Sequence, residues 1–345
     1  MIGTRIFQEN KTLKQDIDFV VLWVDGNDPA WRAEKAKYSP KEEIAGGEDR
    51  YREWGLLPFW FRGIEKFAPW VRKVHFVTWG HLPKWLNTEA SKLHIVQHED
   101  YIPSECLPLF NSNAIEIGIH RIPGLADKFV YFNDDVFLIK PFAPTDFFVG
   151  DKAVDMLALQ PVVANPKNPI MSHVYINNSL LLCKYFDKRS NMKKQPGAYF
   201  KLGYPFMYWG YNVLERIFPL FTGFYTIHAA SPFLKKTFEE VWNKEGELLK
   251  EVQTHRFREN GDVSQYIFRE WQKLSGNFIP QNIQKYTKYF EIKKNNTKLI
   301  QTIEKQKCKM LCINDSAVKG NIEQIKKDLI TAFTSILPEK SSFEK

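Results

Sequence analysis

The stretch Asp18-Phe-Val-Val-Leu-Trp-Val-Asp25-Gly26-Asn27-Asp28-Pro29-Ala-Trp31 decides the fold. Its apolar run, Phe19 to Val24, reads as a strand buried on both faces. Asp25-Gly26-Asn27 is a turn tripeptide. Asp28 stands where a helix N-cap belongs, with Pro29 at the first helical position. A carboxylate is thus delivered to the C-terminal end of a buried strand, beside a helix N-terminus. In open α/β sheets ligands bind at that end, and helix N-termini favour phosphate.

The pattern recurs. Lys128-Phe-Val-Tyr-Phe-Asn133-Asp134-Asp135 reads as a second buried strand followed by two adjacent carboxylates. Lys309-Met-Leu-Cys-Ile-Asn314-Asp315 is a third. Phe224-Tyr-Thr-Ile-His228 reads as a fourth, with Ser231 as the next N-cap and Pro232 in the first helical turn. Each alone is an ordinary turn or cap. Three strands ending in Asp and one ending in His point to one site assembled from distant parts of the chain.

The spacing of the remaining signals predicts strands at Val74–Thr78 and Leu93–Gln97 and a helix over 54–67. Further helices are predicted from Ser112 to Arg121, from Ser231 to about Lys250, from Asp262 to Gly276, and from Asn321 to Ile336. The β–turn–α alternation predicts an α/β fold: a Rossmann-like, GT-A-like, mostly parallel sheet flanked by helices. The strand at Met310–Ile313 is expected to rejoin that sheet. We divide the chain into a polar leader (1–15), a single catalytic domain (16–320), and a C-terminal helix with its tail (321–345). Within the domain, 142–222 reads as an irregular elaboration shaping the acceptor side, and 281–308 as a Lys-rich segment. The charged run from Arg32 to Arg50 reads as a loop able to move over the site.

With 345 residues, 44% hydrophobic and 26% charged, the chain is an ordinary globular one. Seven of its ten Trp fall before residue 86, which reads mainly as a Trp-rich core and secondarily as a sugar-facing wall. The net charge of +8 suits anionic ligands such as nucleotides, phosphosugars or anionic lipid. No nucleic-acid module is recognisable. The four Cys show no paired spacing, so a reducing compartment is expected. No apolar run approaches the ~18 residues of a membrane span. The expected location is the cytoplasm, with peripheral contact at the inner face of the cell membrane through the Lys-rich segment.

The chemistry follows from residue types. Adjacent carboxylates suit a hard divalent cation bridging a diphosphate, so Asp134 and Asp135 are metal candidates, with Asp315 adding a further oxygen. His228 is the preferred general base because it ends a strand before a helix start, and His173 is the runner-up. Arg52, Arg256 and Arg258 are candidates for phosphate contact. Gly26, Asn27, Asp28, Asn111, Ser112 and Asn133 are candidate substrate contacts. Cys308 and Cys312 could bind metal only with partners that the sequence does not suggest. Glycine-rich phosphate loops, a nucleophile elbow and zinc-type spacings are not found.

Four blocks resemble the Stealth family of sugar-phosphate transferases. This group includes bacterial capsule and cell-wall polysaccharide phosphotransferases and the catalytic subunit of the lysosomal-enzyme GlcNAc-1-phosphotransferase. The first block is Val24 to Trp31. The second runs from Arg50-Tyr-Arg-Glu-Trp-Gly through Phe110-Asn-Ser-Asn-Ala-Ile-Glu116 to Tyr131-Phe-Asn-Asp-Asp135. The third is His228 with Pro232, Lys235 and Arg256, and the fourth Cys312-Ile-Asn-Asp315. The chain departs from the family at Glu53-Trp-Gly-Leu-Leu-Pro-Phe59, and at Ser316, where a further Asp or Asn is common.

The resemblance implies transfer of a hexose or N-acetylhexosamine 1-phosphate from a UDP-sugar to a glycan hydroxyl, with release of UMP. The acceptor would be a polysaccharide or oligosaccharide, free or lipid-linked, in capsule or cell-wall synthesis. In that reading Asp134, Asp135 and Asp315 hold Mg²⁺ or Mn²⁺, and Arg52 and Arg256 stabilise phosphoryl oxygens. His228 takes the acceptor proton, and Asp25 positions a substrate or competes for the base role. The alternatives are a GT-A-like glycosyltransferase releasing UDP and a non-catalytic glycan-binding module.

Overall fold

A computed structural model describes residues 16–39, 52–166, 168–315, 318 and 320–345. Strand Ile17–Leu22 (β1) leads through helices Pro29–Tyr38 (α1) and Leu57–Phe67 (α2) to strands Val74–Thr78 (β2) and Leu93–Gln97 (β3). A short helix, Ser112–Glu116 (α3), precedes Lys128–Asn133 (β4) and Val136–Leu138 (β5). Short strands Phe148–Val149 (β6) and Lys152–Asp155 (β7) follow. Then come four helices, Pro169–Tyr185 (α4), Lys188–Lys194 (α5), Pro196–Tyr199 (α6) and Phe206–Leu214 (α7). The chain continues through Ser231–Leu234 (β8), Lys235–Thr254 (α8), Tyr266–Leu274 (α9) and Phe278–Pro280 (β9). It ends with Thr287–Glu291 (β10), Thr297–Glu304 (α10), Met310–Asn314 (β11) and Ile322–Ile336 (α11).

The main sheet has the order β3-β2-β1-β4-β8. Its first four strands run parallel, and β8 pairs antiparallel with β4 at the edge. The expected mostly parallel α/β sheet is therefore present. Alternation explains why β1 is apolar from Phe19 onward: Phe19 and Val21 enter one core, while Val20 enters the other on the opposite face, and the one buried charge, Asp18, is held by Arg72 and His75. Full burial of each such side chain contributes roughly 1.5–3 kcal/mol. Chain order reverses at β1, with β2 on one side and β4 on the other. A crevice opens outside the strand ends at such a reversal.

Two further sheets, β10-β11-β5 and β6-β7-β9, flank the first. The strand at Met310 thus does not rejoin the main sheet. It pairs with β5, so the chain leaves one sheet at Asn133 and enters another at Val136. Asp134 and Asp135 occupy that joint.

The end of the chain is part of the same core. Phe333 of α11 packs 5.4 Å from Phe59 and 5.0 Å from Phe137, ring centre to ring centre. Arg62 of α2 holds the Glu344 carboxylate with two bonds of 2.8 and 2.7 Å. Most of the charged run between 32 and 50 lies outside the described residues, as do 1–15. No helix among the described residues is long and apolar enough to cross a membrane.

Helix α2 lies against β5, immediately after the Asp134–Asp135 joint. Gly63 makes this approach possible: a Cβ there would stand 2.7 Å from the Leu138 carbonyl oxygen. Gly63→Ala should cost about 1–3 kcal/mol through forced separation of the two elements. Urea unfolding measures it, and an unchanged midpoint would mean that the helix is free to shift.

Candidate active site

A cleft of about 540 Å³ opens at the switch point, within the range of small-molecule sites. Trp23 and Val24, which follow β1, and Asn133, Asp134 and Asp135, which follow β4, line it. Arg52, Glu53, Trp54, Ser112, Glu116, His228, Arg258, Asn314 and Asp315 complete its polar wall. Segments from Trp23 to Asp315 thus meet, as the strand-end acids suggested.

Asp135 is the centre. Its Oδ2 is 3.2 Å from His228 Nε2 and accepts from Cys312 Sγ at 3.4 Å. Its backbone oxygen accepts from Ile313 N at 2.9 Å. Oδ1 is buried with no hydrogen-bond partner among the described residues. Asp134 beside it faces the cleft. Desolvation, and then the Asp135 and Glu53 carboxylates, push its pKa up to about 7.

His228 arrives differently from the prediction. Phe224–His228 is no regular strand, and Ser231 caps no helix. Ser231–Leu234 is itself β8, and the helix starts at Lys235. His228 therefore sits in the loop entering the edge strand. Arg269 fixes this loop by donating to the Ile227 carbonyl at 3.0 Å, while gripping Asp155 at 2.7 and 2.8 Å. All three sit deep in the protein, where a broken pair would leave an uncompensated charge. Burial works to lower the His228 pKa, but the Asp135 hydrogen bond and the Asp135 and Glu116 charges outweigh it and raise it. His173 is exposed on α4 and does not line the cleft.

The other sequence candidates divide. Asp315 reaches the cleft, but its Oδ2 lies 3.2 Å from both Arg52 and Trp54 Nε1, so it is no open ligand. Asp25 turns back on its own loop, accepting from Asn27 N at 2.8 Å, and its amide donates to His81 at 2.7 Å. Asp28 caps α1 as expected, bonding Trp31 N at 2.7 Å. Gly26, Asn27 and Asp28 shape this turn and are not among the cleft-lining residues.

Asn111, not Ser112, caps α3, which stops at Glu116 before a 3-10 turn at Ile119–Arg121. Its amide is fully buried and donates to Asp262 at 2.9 Å and to the carbonyls of His255 and Phe257. Asp262 also accepts from Asn113 and meets His255 at 2.7 Å. It is a buried hub rather than a helix start, and α9 begins at Tyr266. This network holds the loop that presents Arg258, which donates to Ser112 Oγ at 2.7 Å. Arg256 points away, its guanidinium 4.9 Å from the Tyr38 ring. Arg258 is thus the cleft guanidinium of that pair.

Sequence reasoning missed Glu116 as a functional group. It is buried, accepts from Tyr131 at 2.9 Å, and desolvation pushes its pKa up to about 7 against the pull of Tyr131, Arg258 and His228. It also left Cys312 without metal partners. Folding supplies Asp135 and His228, and the three offer ligand atoms within 4.8 Å of one another. Burial and the Asp135 carboxylate hold the thiol well above its usual pKa, which makes it an S–H donor to Asp135. Nothing local in the sequence marks either residue. Of the early Trp, Trp60 is wholly core; Trp23, Trp31 and Trp54 are buried as well but reach the cleft wall, together with the half-buried Trp79.

Sheet and cleft together define a mostly parallel α/β protein with an acidic cleft at its switch point. More narrowly, the chain belongs to the Stealth family. Residues 15–43 match Stealth protein conserved region 1 and residues 50–156 match conserved region 2. It is 38% identical to a capsular polysaccharide phosphotransferase WcwK of Streptococcus pneumoniae, over 96% of this chain and 99% of that one. A receptor polysaccharide phosphotransferase WefC of Streptococcus oralis is 37% identical, over 95% and 99%. An exopolysaccharide phosphotransferase cps2G of Lactiplantibacillus plantarum is 37% identical, over 96% of each. The solved galactosyltransferase LgtC aligns over 91% of this chain and 95% of its own, with 10% identity and a TM-score of 0.37. That likeness is too remote to bear on the reaction.

Glu116 gives a test with a definite sign. Its folded pKa lies above its unfolded one, so the native state binds more protons between the two values. Stability is therefore lost as pH rises from about 4.5 through about 7. Glu116→Gln should be more stable than the native chain at pH 8, by about 1–3 kcal/mol, and equal to it near pH 4. Thermal unfolding with chelator at both pH values checks it; a variant no more stable at pH 8 would mean that Glu116 is better solvated than its burial shows.

Proposed function

We propose that this chain transfers a hexose or N-acetylhexosamine 1-phosphate from a UDP-sugar to a hydroxyl of a polysaccharide or oligosaccharide. The product is a phosphodiester and the leaving group is UMP, in the assembly of a capsule or cell-wall polysaccharide. The observation that carries the reading is the His228–Asp135 pair, standing in an acidic cleft at the sheet's switch point. The names of the full-length relatives support it.

The charge balance of the cleft supports a divalent cation. Glu53, Glu116, Asp134, Asp135 and Asp315 face only Arg52, Arg258 and His228 as cationic groups among the described lining residues. An anionic diphosphate would be repelled without a counter-ion. The unpartnered Oδ1 of Asp135 and the adjacent Asp134 are the oxygens that would hold Mg²⁺ or Mn²⁺. When bound, the ion supplies charge neutralisation at the diphosphate.

The chain's own groups do the rest. Asp135 Oδ2 accepts a hydrogen bond from His228 Nε2–H and so fixes the tautomer, leaving Nδ1 as the basic nitrogen. The Tyr266 hydroxyl lies 3.5 Å from Nδ1. In this reading His228 accepts the proton of the attacking hydroxyl, and its raised pKa strengthens it as a base. Arg258 and Arg52 flank the acids and stabilise the phosphoryl oxygens, since phosphoryl transfer asks mainly for positioning and charge. Glu116, half-protonated near neutrality, can return a proton to a leaving oxygen. Trp23, Trp54 and Trp79 offer faces to sugar and base.

The deciding experiment identifies the nucleotide released. The protein is incubated with UDP-GlcNAc, UDP-Gal or UDP-Glc, Mg²⁺ or Mn²⁺, and glycan acceptors from capsule-forming bacteria. UMP with sugar phosphate on the acceptor is expected; UDP would make it a glycosyltransferase and overturn the reading. His228→Ala should lower the rate roughly 10²–10⁴-fold, and a loss of only a few-fold in a folded variant would remove it as the base.

A further inference from the structure

Most of the exposed large apolar side chains among the described residues lie between Val163 and Leu220, in the elaboration. They concentrate on α7 and the 3-10 turn Glu215–Ile217 that extends it. Phe206, Met207, Gly210, Val213, Leu214 and Ile217 share one face of this helix by their spacing. Phe206 is 88% exposed and Ile217 73%. Leu202, at 85%, precedes the helix, and Phe218 and Leu220 follow it, all exposed.

The opposite face carries the polar groups, and it is buried. Asn212 accepts from Leu159 N at 2.8 Å and donates to the Tyr199 carbonyl at 2.6 Å. Glu215 pairs with Lys188 at 2.8 Å, both side chains almost wholly buried. Lys188 also donates to the Leu220 carbonyl at 2.7 Å. Tyr208 shares this buried face, with Trp209 and Tyr211 packed beside it, so α7 is anchored on one side and apolar on the other as well. Rotating it to hide the apolar face would break these bonds and strand a buried charge, so the exposure is built in.

The flanking charges say what covers it. Arg189, Lys193, Lys194, Lys201 and Arg216 are all exposed. The acids between 161 and 222 are Asp187 and Glu215. Glu215 is consumed by Lys188, and Asp187 caps α5 through Ser190 N. A two-fold contact between copies would set this patch against itself and oppose like charges. An anionic bilayer offers both an apolar interior and negative headgroups.

We propose that α7 and its flanks form the membrane-docking face of this protein, entering the surface of an anionic lipid bilayer. This goes beyond the phosphotransfer reading and moves the lipid contact from the Lys-rich segment to the elaboration. The same elaboration reaches the cleft, because Asn168, the N-cap of α4, lines it.

The test is co-sedimentation of the full chain with vesicles of phosphatidylcholine, with and without phosphatidylglycerol. The native protein should bind the anionic vesicles and be partly released by salt. Phe206→Ser with Ile217→Ser should weaken binding roughly tenfold or more, with turnover of a soluble acceptor unchanged. Lys201→Glu with Arg216→Glu should weaken it by about fivefold per charge removed. No binding to anionic vesicles at low salt would overturn the proposal. So would vesicle binding lost on Lys293→Glu with Lys298→Glu but kept by the Phe206 and Ile217 variant. A dimer that these serines turn to monomer, without vesicle binding, would make the face a contact between copies instead.

Discussion

Everything in the cleft depends on how Asp135 is held. The residue stands where the chain leaves the main sheet and enters the second one, and its carbonyl accepts from Ile313 of β11. One carboxylate oxygen ties the His228 loop and β11 to that joint through His228 and Cys312, while the other stays open. Three elements far apart in sequence thus converge on one side chain. A carboxylate so placed cannot move without shifting His228, β11 and the cleft floor together. That coupling gives preorganisation, which positioned catalysis requires.

The rigidity behind that joint is electrostatic as well as apolar. Arg269–Asp155 and Lys188–Glu215 are ion pairs with nearly no exposure. Such pairs return little net stability, since desolvation cancels much of their attraction. They do penalise every arrangement that separates them. One sets the loop carrying His228, and the other sets the register of α7. The cleft shows the reverse economy: burial raises Glu116 to about 7, and desolvation within the cleft mouth, with the Asp135 and Glu53 carboxylates, raises Asp134 to about 7 although its side chain stays open to the cleft. Perturbed carboxyls of this kind cluster at functional sites.

How much was legible follows from how local each signal is. β1, β2 and β3, the Asp28 cap of α1 and the helix ending at Ile336 rest on runs and caps within a few residues, and the sequence marks them clearly. β8 was misread because Ser231-Pro232 is also an N-cap pattern. In the structure Pro232 occupies an edge strand, where its missing N–H costs no ladder bond. Gln272 bonds the Pro232 carbonyl and the Leu234 amide, completing that edge from another element. Met310–Asn314 was read correctly as a strand and assigned to the wrong sheet, because pairing partners leave no local trace. The site was legible as strand-end acids at Asp134, Asp135 and Asp315. Its selection of Arg258 over Arg256, and of buried Glu116, was not, because both depend on burial and on the Asp262 network.

The arrangement of charge bears on which bond the cleft is suited to break. Cleavage at the sugar carbon builds positive charge on the ring, which carboxylates stabilise and guanidinium groups oppose. Transfer of the phosphoryl group keeps negative charge on its oxygens, which guanidinium groups stabilise. Arg52 is tethered to Asp315 and Arg258 to Ser112, so both are held in place before any ligand arrives. In the proposed reaction, guanidinium groups preset beside the carboxylates would suit a phosphorus centre. His228, oriented by Asp135, would then serve the attacking hydroxyl rather than the sugar ring. The bond broken in that proposal is the one between phosphorus and the nucleotide-side oxygen, with a phosphodiester as its product.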